Sequence, residues 1–185
     1  AGSLGYEKVF ESPLIDMISS PSSYGYRGIR DPSAFMVTQK TLDAHNKIYF
    51  LEFDHITHVA PERITDGLDG NADNCKMVTI PGAGNKCKTE TESLNLMYRD
   101  FILCMSKGAA LWWFDMFDGW FRSEGMMNAV GRMLEIAGKL TKKPAKSAAQ
   151  IAVFAEGESM YRARKSANLA TVCLKSLILD GFSKF

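Results

Sequence analysis

The sequence predicts an α/β fold built on a parallel sheet of βα units, and three observations lead to that prediction. Short apolar runs typical of strands alternate along the chain with longer stretches that have helical periodicity. One of the short runs, KIYFLEFD at 47–54, is strongly enriched in aromatic and β-branched residues. The 185 residues are 46% hydrophobic and 23% charged, a composition typical of a globular domain.

The first half of the chain contains two predicted strands. The apolar run at 14–19 is followed by a loop rich in Pro, Ser, Tyr and Gly, which indicates a strand that ends there. Residues 33–45 predict a loop with a short helical turn, and 47–54 form the clearest strand. The polar stretch at 55–88 has few large apolar side chains and predicts a long loop.

A helix is predicted to begin at Thr89, because Thr89–Glu92 fits the S/T-x-x-E capping box. Gly108 is placed to end it in the left-handed conformation. The apolar residues between them have helical spacing and predict its buried face: Leu94, Met97, Phe101, Cys104 and Met105.

The second half predicts a strand at 110–117 and a helix at 123–142. A basic, proline-containing segment at 142–147 is the best domain boundary, and a strand at 150–155 and an amphipathic helix at 166–179 follow it. The predicted buried stripe of the 123–142 helix consists of Met127, Val130, Leu134, Ala137 and Leu140.

Several classes of function are disfavoured by composition. A net charge of +1 gives no reason to expect a nucleic acid or a charged membrane as partner. No apolar run is long enough to span a bilayer, and neither a GxSxG elbow nor a P-loop occurs. Residues 1–8 do not resemble a signal peptide, and we expect the chain to begin inside a longer protein, which leaves its compartment open between cytoplasmic and secreted.

The four cysteines do not form a disulfide scaffold. Cys75 and Cys87 occupy the same polar loop and could pair if the parent protein is secreted, whereas Cys104 and Cys173 fit helical apolar patterns and predict core positions. Without a CxxC pair we expect no metal, and no cofactor is indicated.

Glu52 and Asp54 lie at the end of the clearest strand, on the same face as Ile48 and Phe50. A carboxylate at the end of an apolar parallel strand suits catalysis, because barrel active sites form at that end. The alternative is a carboxylate that reaches solvent or pairs with an arginine.

Aromatic and basic residues elsewhere add candidates. Trp112 and Trp113 point to opposite faces, so one indole can pack under a helix while the other serves as a stacking surface for a sugar; the alternative places both in the core. Tyr24, Tyr26, Arg27 and Arg30 follow the first strand and can bind hydroxyl groups or orient a carboxylate, although taken alone they favour an ordinary surface loop.

His55 and His58 follow Glu52 closely. A zinc site would need a third ligand that the sequence does not provide. We expect them to hydrogen-bond a substrate or to support Glu52.

Three segments together resemble the late part of the catalytic barrel of β-galactosidase-like glycoside hydrolases close to family 42: 1–28, 45–58 and 110–121. The resemblance implies a partial (β/α)8 TIM barrel, its last three βα units, at 1–145. It also implies the beginning of a flavodoxin-like trimerisation domain at 146–185. Glu52 matches the nucleophile of that clan. Substrate-binding residues implied by the resemblance are Tyr24, Tyr26, Arg27, Asp54, His58, Trp112, Trp113 and Asp115.

The implied activity is that of a retaining glycoside hydrolase acting on β-galactosides or related β-glycosides. Ile56 stands where relatives often have an arginine, which leaves the sugar open. The acid/base glutamate belongs to the missing part of the barrel, so we expect the 185 residues alone to be inactive and to associate as a trimer or with the rest of the barrel. The alternatives are a non-catalytic carbohydrate-binding or structural α/β domain, and a self-contained, doubly wound binding domain.

Overall fold

The computed structural model describes residues 7–23, 26–60, 86–115, 119–142, 148 and 150. The chain divides into two compact units, one of residues 1–14 and 145–185 and the other of Ile15–Pro144. In the first unit the structure describes helix α1 (Glu7–Glu11). The division expected at 145/146 stays a prediction, and the helix expected at 166–179 lies outside the described residues, as does the strand at 150–155 apart from its first residue.

The second unit is a mixed α/β structure around a three-stranded parallel sheet, which confirms the predicted fold class at that level. The strands follow one another in the order β1-β2-β3. Because parallel crossovers are right-handed, successive connections in such an order place their helices on one side of the sheet. The elements are β1 (Met17–Pro21), α2 (Gln39–Ala44), β2 (Ile48–Phe53), α3 (Glu90–Lys107), β3 (Ala110–Trp113) and α4 (Glu124–Leu140).

The two faces of the central strand have different surroundings. Tyr49, Leu51 and Phe53 are fully buried on one face, each contributing about 1.5–3 kcal/mol of apolar burial. The alternate residues lie on the other face, where Ile48 is 56% exposed and Glu52 is half-buried. The alternation of side chains predicted for this strand is therefore confirmed.

Helices α3 and α4 supply most of the core. The stripe predicted for α3 is confirmed at Met97, Phe101 and Cys104, which are all buried. The stripe predicted for α4 is confirmed at Val130 and Ala137, which pack against the core. It is wrong at its other three residues, because the helix is apolar on more than one side and packs through the neighbouring row. Its buried residues are Met126, Ala129 and Met133, while Met127, Leu134 and Leu140 are exposed.

The predicted ends of α3 are confirmed. The Thr89 hydroxyl accepts a hydrogen bond from the Glu92 backbone N–H at 3.2 Å, and Gly108 has a φ of 71°. The Glu92 carboxylate accepts from the backbone N–H of Lys88 at 2.6 Å, one residue before the position expected in a capping box.

Two strand boundaries differ from the prediction. β1 begins at Met17 rather than at 14, because pairing starts where Ile48 N–H donates to the Asp16 carbonyl at 2.9 Å. β3 ends at Trp113 rather than at 117, because β2 offers its last acceptor there: the Phe53 carbonyl accepts from Phe114 N–H at 3.0 Å.

Both described cysteines are free thiols in the core. Burial raises the pKa of the Cys104 thiol to about 12, which confirms its inert core position. Cys87 is equally buried among the side chains beneath α3, and Cys75 and Cys173 lie outside the described residues.

Candidate functional site

The carboxyl end of the sheet brings Glu52 next to an indole. Glu52 of the central strand is level with Pro21 on one side and with Trp112 on the other. Since neighbouring parallel strands in register direct level side chains to the same face, Glu52 and Trp112 share the face away from the buried core. Phe50 completes this surface, and its ring stacks on Trp112 with centroids 6.1 Å apart.

The Trp112 indole is held in place by hydrogen bonds. Its Nε1 donates to the Ser19 hydroxyl at 3.3 Å, and that hydroxyl donates to the Phe50 carbonyl at 2.9 Å. Trp113 points to the opposite face and packs on Phe53 with centroids 5.0 Å apart. The structure therefore places Trp112 beside Glu52 and Trp113 among core side chains, a choice that the sequence left open.

Arg27 and Asp54 form a buried ion pair next to Glu52, with 6% of each side chain exposed. Arg27 Nη2 contacts Asp54 Oδ1, and Arg27 Nε donates to the Ser22 carbonyl at 3.2 Å. Of the alternatives for the carboxylates on this strand, pairing with an arginine is what the structure shows for Asp54.

The charge state of Glu52 reflects these neighbours. Burial raises the pKa of Glu52, and the Asp54 carboxylate raises it further, while the Arg27 guanidinium opposes both. Burial therefore has the largest effect on the pKa of Glu52, and the ion pair modifies it.

A second charged group lies behind this pair, where α3 packs against the end of β2. His55 Nε2 is 2.9 Å from Asp100 Oδ2, and Arg99 Nε donates to Asp100 Oδ1 at 2.9 Å. Burial lowers the pKa of His55, so the ring is neutral and its Nε2–H donates to an ionised Asp100. Burial opposes ionisation of Asp100, but the hydrogen bond from His55 and the charge of Arg99 bring the pKa of Asp100 below its usual value.

Arg99 also reaches the loop that carries Arg27. Its Nη1 donates to the carbonyls of Gly28 and Asp31 at 2.8 and 3.1 Å. Arg99 and Asp100 are not among the site residues that the sequence predicted. One signal was available: Asp100 interrupts the apolar stripe of α3 at a position next to Phe101, where a charge needs a buried partner.

The remaining sequence candidates lie in different settings. The His58 ring is tied to the start of α3 through Ser93, with Nδ1 and Oγ 3.0 Å apart. The Asp115 carboxylate accepts hydrogen bonds from the backbone N–H groups of Gly119 and Trp120 at 2.9 and 3.3 Å. Tyr26 is half-buried in the loop beside Arg27, and Tyr24 lies outside the described residues.

Within the described ranges, no group of three or more His, Cys, Asp or Glu side chains is arranged to hold a metal ion. In the same part of the chain, no helix is both long and apolar enough to cross a membrane.

Comparison of the chain with protein-family models, with curated proteins and with solved structures found no match in any of the three. The functional interpretation therefore depends on the geometry at the carboxyl end of the sheet. That geometry combines a half-buried carboxylate, a fixed indole and a buried ion pair.

Proposed function

We propose that the chain is part of a retaining glycoside hydrolase for β-galactosides or related β-glycosides, with Glu52 as the nucleophile. The observation that carries the proposal is the register that places Glu52 at the carboxyl end of the central strand with the Trp112 indole beside it. Enzymes with parallel barrels assemble their sites at that end. An indole beside the carboxylate suits the apolar C–H face of a sugar ring.

The strand order is compatible with a barrel interpretation of the sheet. Three parallel strands that pair in chain order fit consecutive strands of a (β/α)8 barrel, and they fit one half of a doubly wound sheet equally well. Parallel sheets are ordinarily covered on both faces, and the face with Ile48 and Glu52 would be the barrel interior. The proposal includes a flavodoxin-like domain beginning at 146 and trimer formation.

A retaining mechanism assigns Glu52 one of two carboxyl roles. Its carboxylate attacks the anomeric carbon as the bond to the leaving oxygen breaks, and a second carboxyl about 5–5.5 Å away protonates that oxygen. Asp54 is paired with Arg27, and Asp115 accepts from the backbone N–H groups of Gly119 and Trp120, so we assign the acid role to neither. We therefore expect the chain alone not to hydrolyse substrates that need acid assistance.

A mechanism-based reagent tests the role of Glu52 without a general acid. The reagent is a 2-deoxy-2-fluoro-β-galactoside with a dinitrophenolate leaving group. The dinitrophenolate departs without protonation, and the fluorosugar stays attached to the nucleophile as an ester. We expect a covalent adduct on the peptide that contains Glu52, identified by mass spectrometry after digestion. The variant Glu52→Gln should form none, while Glu135→Gln, on the exposed side of α4, should be labelled like the unmodified chain.

Other outcomes would replace the proposal. Sugar-dependent quenching of tryptophan fluorescence that is lost in Trp112→Ala, without any adduct, would favour a carbohydrate-binding domain. An adduct at a residue other than Glu52 would contradict the assigned nucleophile. Turnover of an aryl β-galactoside by this chain, abolished in Glu52→Gln, would contradict the expected inactivity.

A further inference from the structure

We infer that Arg99 is a positioning residue, which holds residues 26–34 of the loop after β1 against the end of β2 so that Arg27 pairs with Asp54 beside Glu52. The inference deepens the proposed function and rests on it only for the catalytic meaning of Glu52. Its geometric content concerns the described residues alone.

The loop needs an external attachment to stay in this position. Its internal hydrogen bonds make it compact: Ser23 N–H donates to the Ala34 carbonyl at 2.8 Å, and Gly28 N–H donates to the Asp31 carboxylate at 2.7 Å. Those bonds shape the loop without connecting it to β2 or α3. The Ser22 hydroxyl is 3.3 Å from His55 Nε2 and Arg27 contacts Asp54, so two side chains of the loop reach the end of β2. Arg99 adds a connection to α3 through the backbone, because its Nη1 donates to two loop carbonyls, those of Gly28 and Asp31.

The carbonyl of Gly28 directly follows Arg27 in the chain. A guanidinium fixed on that carbonyl therefore fixes the backbone from which the Arg27 side chain extends. The Arg27 side chain then reaches Asp54 and the Ser22 carbonyl from a preset direction. Removing Arg99 would free the backbone at 28–31 while leaving every group of the ion pair in place.

Arg99 is itself immobilised from the opposite side. Its Nε donates to Asp100, which has no exposed surface and also accepts from His55. An arginine can divide its donors in this way because the guanidinium is planar and carries five N–H groups in a fixed arrangement. A lysine ammonium at this position could neutralise Asp100 but could not also reach both carbonyls in the same geometry.

The charges of the cluster are balanced. Two guanidinium groups, Arg27 and Arg99, face two carboxylates, Asp54 and Asp100, while the buried His55 ring is neutral. If Arg27 left its position, the Asp54 carboxylate would act on Glu52 without compensation. The pKa of Glu52 therefore indicates whether Arg27 is paired with Asp54.

Nuclear magnetic resonance on the full 185-residue chain can test the inference. The Glu52 carboxyl carbon is titrated in protein labelled with 13C-glutamate, and hydrogen exchange of the Arg27 Nε–H is measured in 15N-arginine protein. In Arg99→Lys we expect the titration midpoint of Glu52 to rise and the Arg27 Nε–H to exchange at least about tenfold faster. The control Arg132→Lys, on the exposed side of α4, should change neither quantity.

A double-variant comparison identifies the route of the effect. Arg27→Met should raise the Glu52 midpoint directly, and adding Arg99→Lys should raise it no further, because both act through the same ion pair. Additive shifts of the Glu52 midpoint in the double variant would overturn the inference. It would also be overturned if Arg99→Lys reduced the stability to urea but changed neither the Glu52 midpoint nor the exchange rate of the Arg27 Nε–H, since Arg99 would then only stabilise the fold.

Should Arg99→Lys not fold, the unmodified chain still decides the question. In the unmodified chain, the Nε–H groups of Arg27 and Arg99 must then exchange through the same local unfolding reaction, with the same dependence of the exchange rate on urea. Exchange of the two groups through separate unfolding reactions would overturn the inference. None of these measurements uses a sugar. A failure to label Glu52 with the fluorosugar would therefore contradict the proposed function and leave the positioning role of Arg99 standing.

Discussion

The Asp100 carboxylate has no exposed surface, yet it accepts hydrogen bonds from two side chains, His55 and Arg99. A buried charge is tolerated only when partners compensate for lost hydration. Arg99 also depends on Asp100, because the Arg99 Nε–H would otherwise lose its acceptor, whereas His55 Nε2 also lies 3.3 Å from the Ser22 hydroxyl.

Replacing Asp100 is therefore expected to be costly. Asp100→Ala should lower the free energy of unfolding by roughly 3–5 kcal/mol, the usual cost of removing one partner from a buried pair. The matched change Asp43→Ala removes a carboxylate from an exposed pair with Lys40 and should cost less than about 1 kcal/mol. Urea unfolding followed by circular dichroism measures both, and equal losses would contradict the buried-pair account.

Acidification should weaken the fold through His55. Burial lowers the pKa of His55 in the folded chain from its ordinary value of 6.5, so the unfolded chain takes up a proton first as the pH falls. Stability should therefore decrease as the pH falls below about 6.5. Asp100, whose pKa is also lowered, removes further stability below its ordinary value of 3.8.

The His55 contribution can be isolated by substitution. In His55→Gln, the fall in urea stability between pH 7 and pH 5 should be smaller than in the unmodified chain. His45→Gln, at an exposed position after α2, should retain the full fall. The same pH dependence in both variants would assign the effect to other groups.

For single residues, the sequence predicted the face of a strand on which a side chain lies better than it predicted which residues that side chain contacts. The alternation along β2 correctly placed Glu52 on the face opposite Leu51, because strand side chains have a period of two. The choice between Trp112 and Trp113 needed the register between β2 and β3, which no local pattern contains. The contact of Arg99 with the loop at 28–31 joins residues about 70 positions apart and was equally inaccessible.

Helix ends follow rules that act over a few residues, and the prediction succeeded there. Thr89 and Gly108 bound α3 as expected, since a hydroxyl and a left-handed glycine satisfy backbone groups locally. For α4, Met127, Leu134 and Leu140 were wrongly predicted to be buried. Met126 and Met127 each begin a row of apolar residues with helical spacing, so the spacing alone does not show which row is buried. Packing against α3 selects between such rows, and packing is not local.

Two glycines should respond oppositely to the same substitution. A Cβ at Gly108 or at Gly138 would meet nothing within 4 Å, so steric crowding is equal. Gly108 has a φ of 71°, and Gly108→Ala should destabilise the chain by about 1 kcal/mol. Gly138 lies inside α4, where Gly138→Ala should stabilise by about 0.5–1 kcal/mol. Thermal unfolding distinguishes the signs, and a shared sign would contradict the conformational argument.

At the scale of the whole molecule, the face of the sheet opposite Tyr49, Leu51 and Phe53 has exposed apolar side chains in the described part of the Ile15–Pro144 unit. Met17 and Ile48 are level with each other on this face and are 50% and 56% exposed. Within the described residues, the outer edges of β1 and β3 have no strand partner. Apolar surface beside free strand edges favours association with another chain.

Self-association should therefore depend on Ile48 more than on an equally exposed isoleucine elsewhere. Ile48→Thr should weaken self-association about tenfold, since two copies each lose part of a buried side chain. Ile102→Thr, on α3 and 60% exposed, should leave it unchanged. Sedimentation velocity over a concentration series measures both, and equal effects would locate the contact away from the sheet.

The α/β class of this unit was predictable because alternating apolar runs determine it locally. The extent of the sheet was not, because strand pairing joins segments such as 17–21 and 48–53 across a loop and a helix. A sequence pattern can say that a parallel strand needs neighbours without saying which segments supply them.

Pro21 has a consequence for access to the carboxyl end of the sheet. Ile48 N–H donates to Asp16, so every second residue of β1 faces β2 and the residues between them, including Pro21, direct their backbone outward. Pro21 is level with Glu52 and has no N–H to donate. A strand that paired with the outer edge of β1 would lack a hydrogen bond from residue 21, at the level of Glu52. The end of that strand would therefore diverge from β1 there and leave an opening at the side of the sheet for an extended ligand.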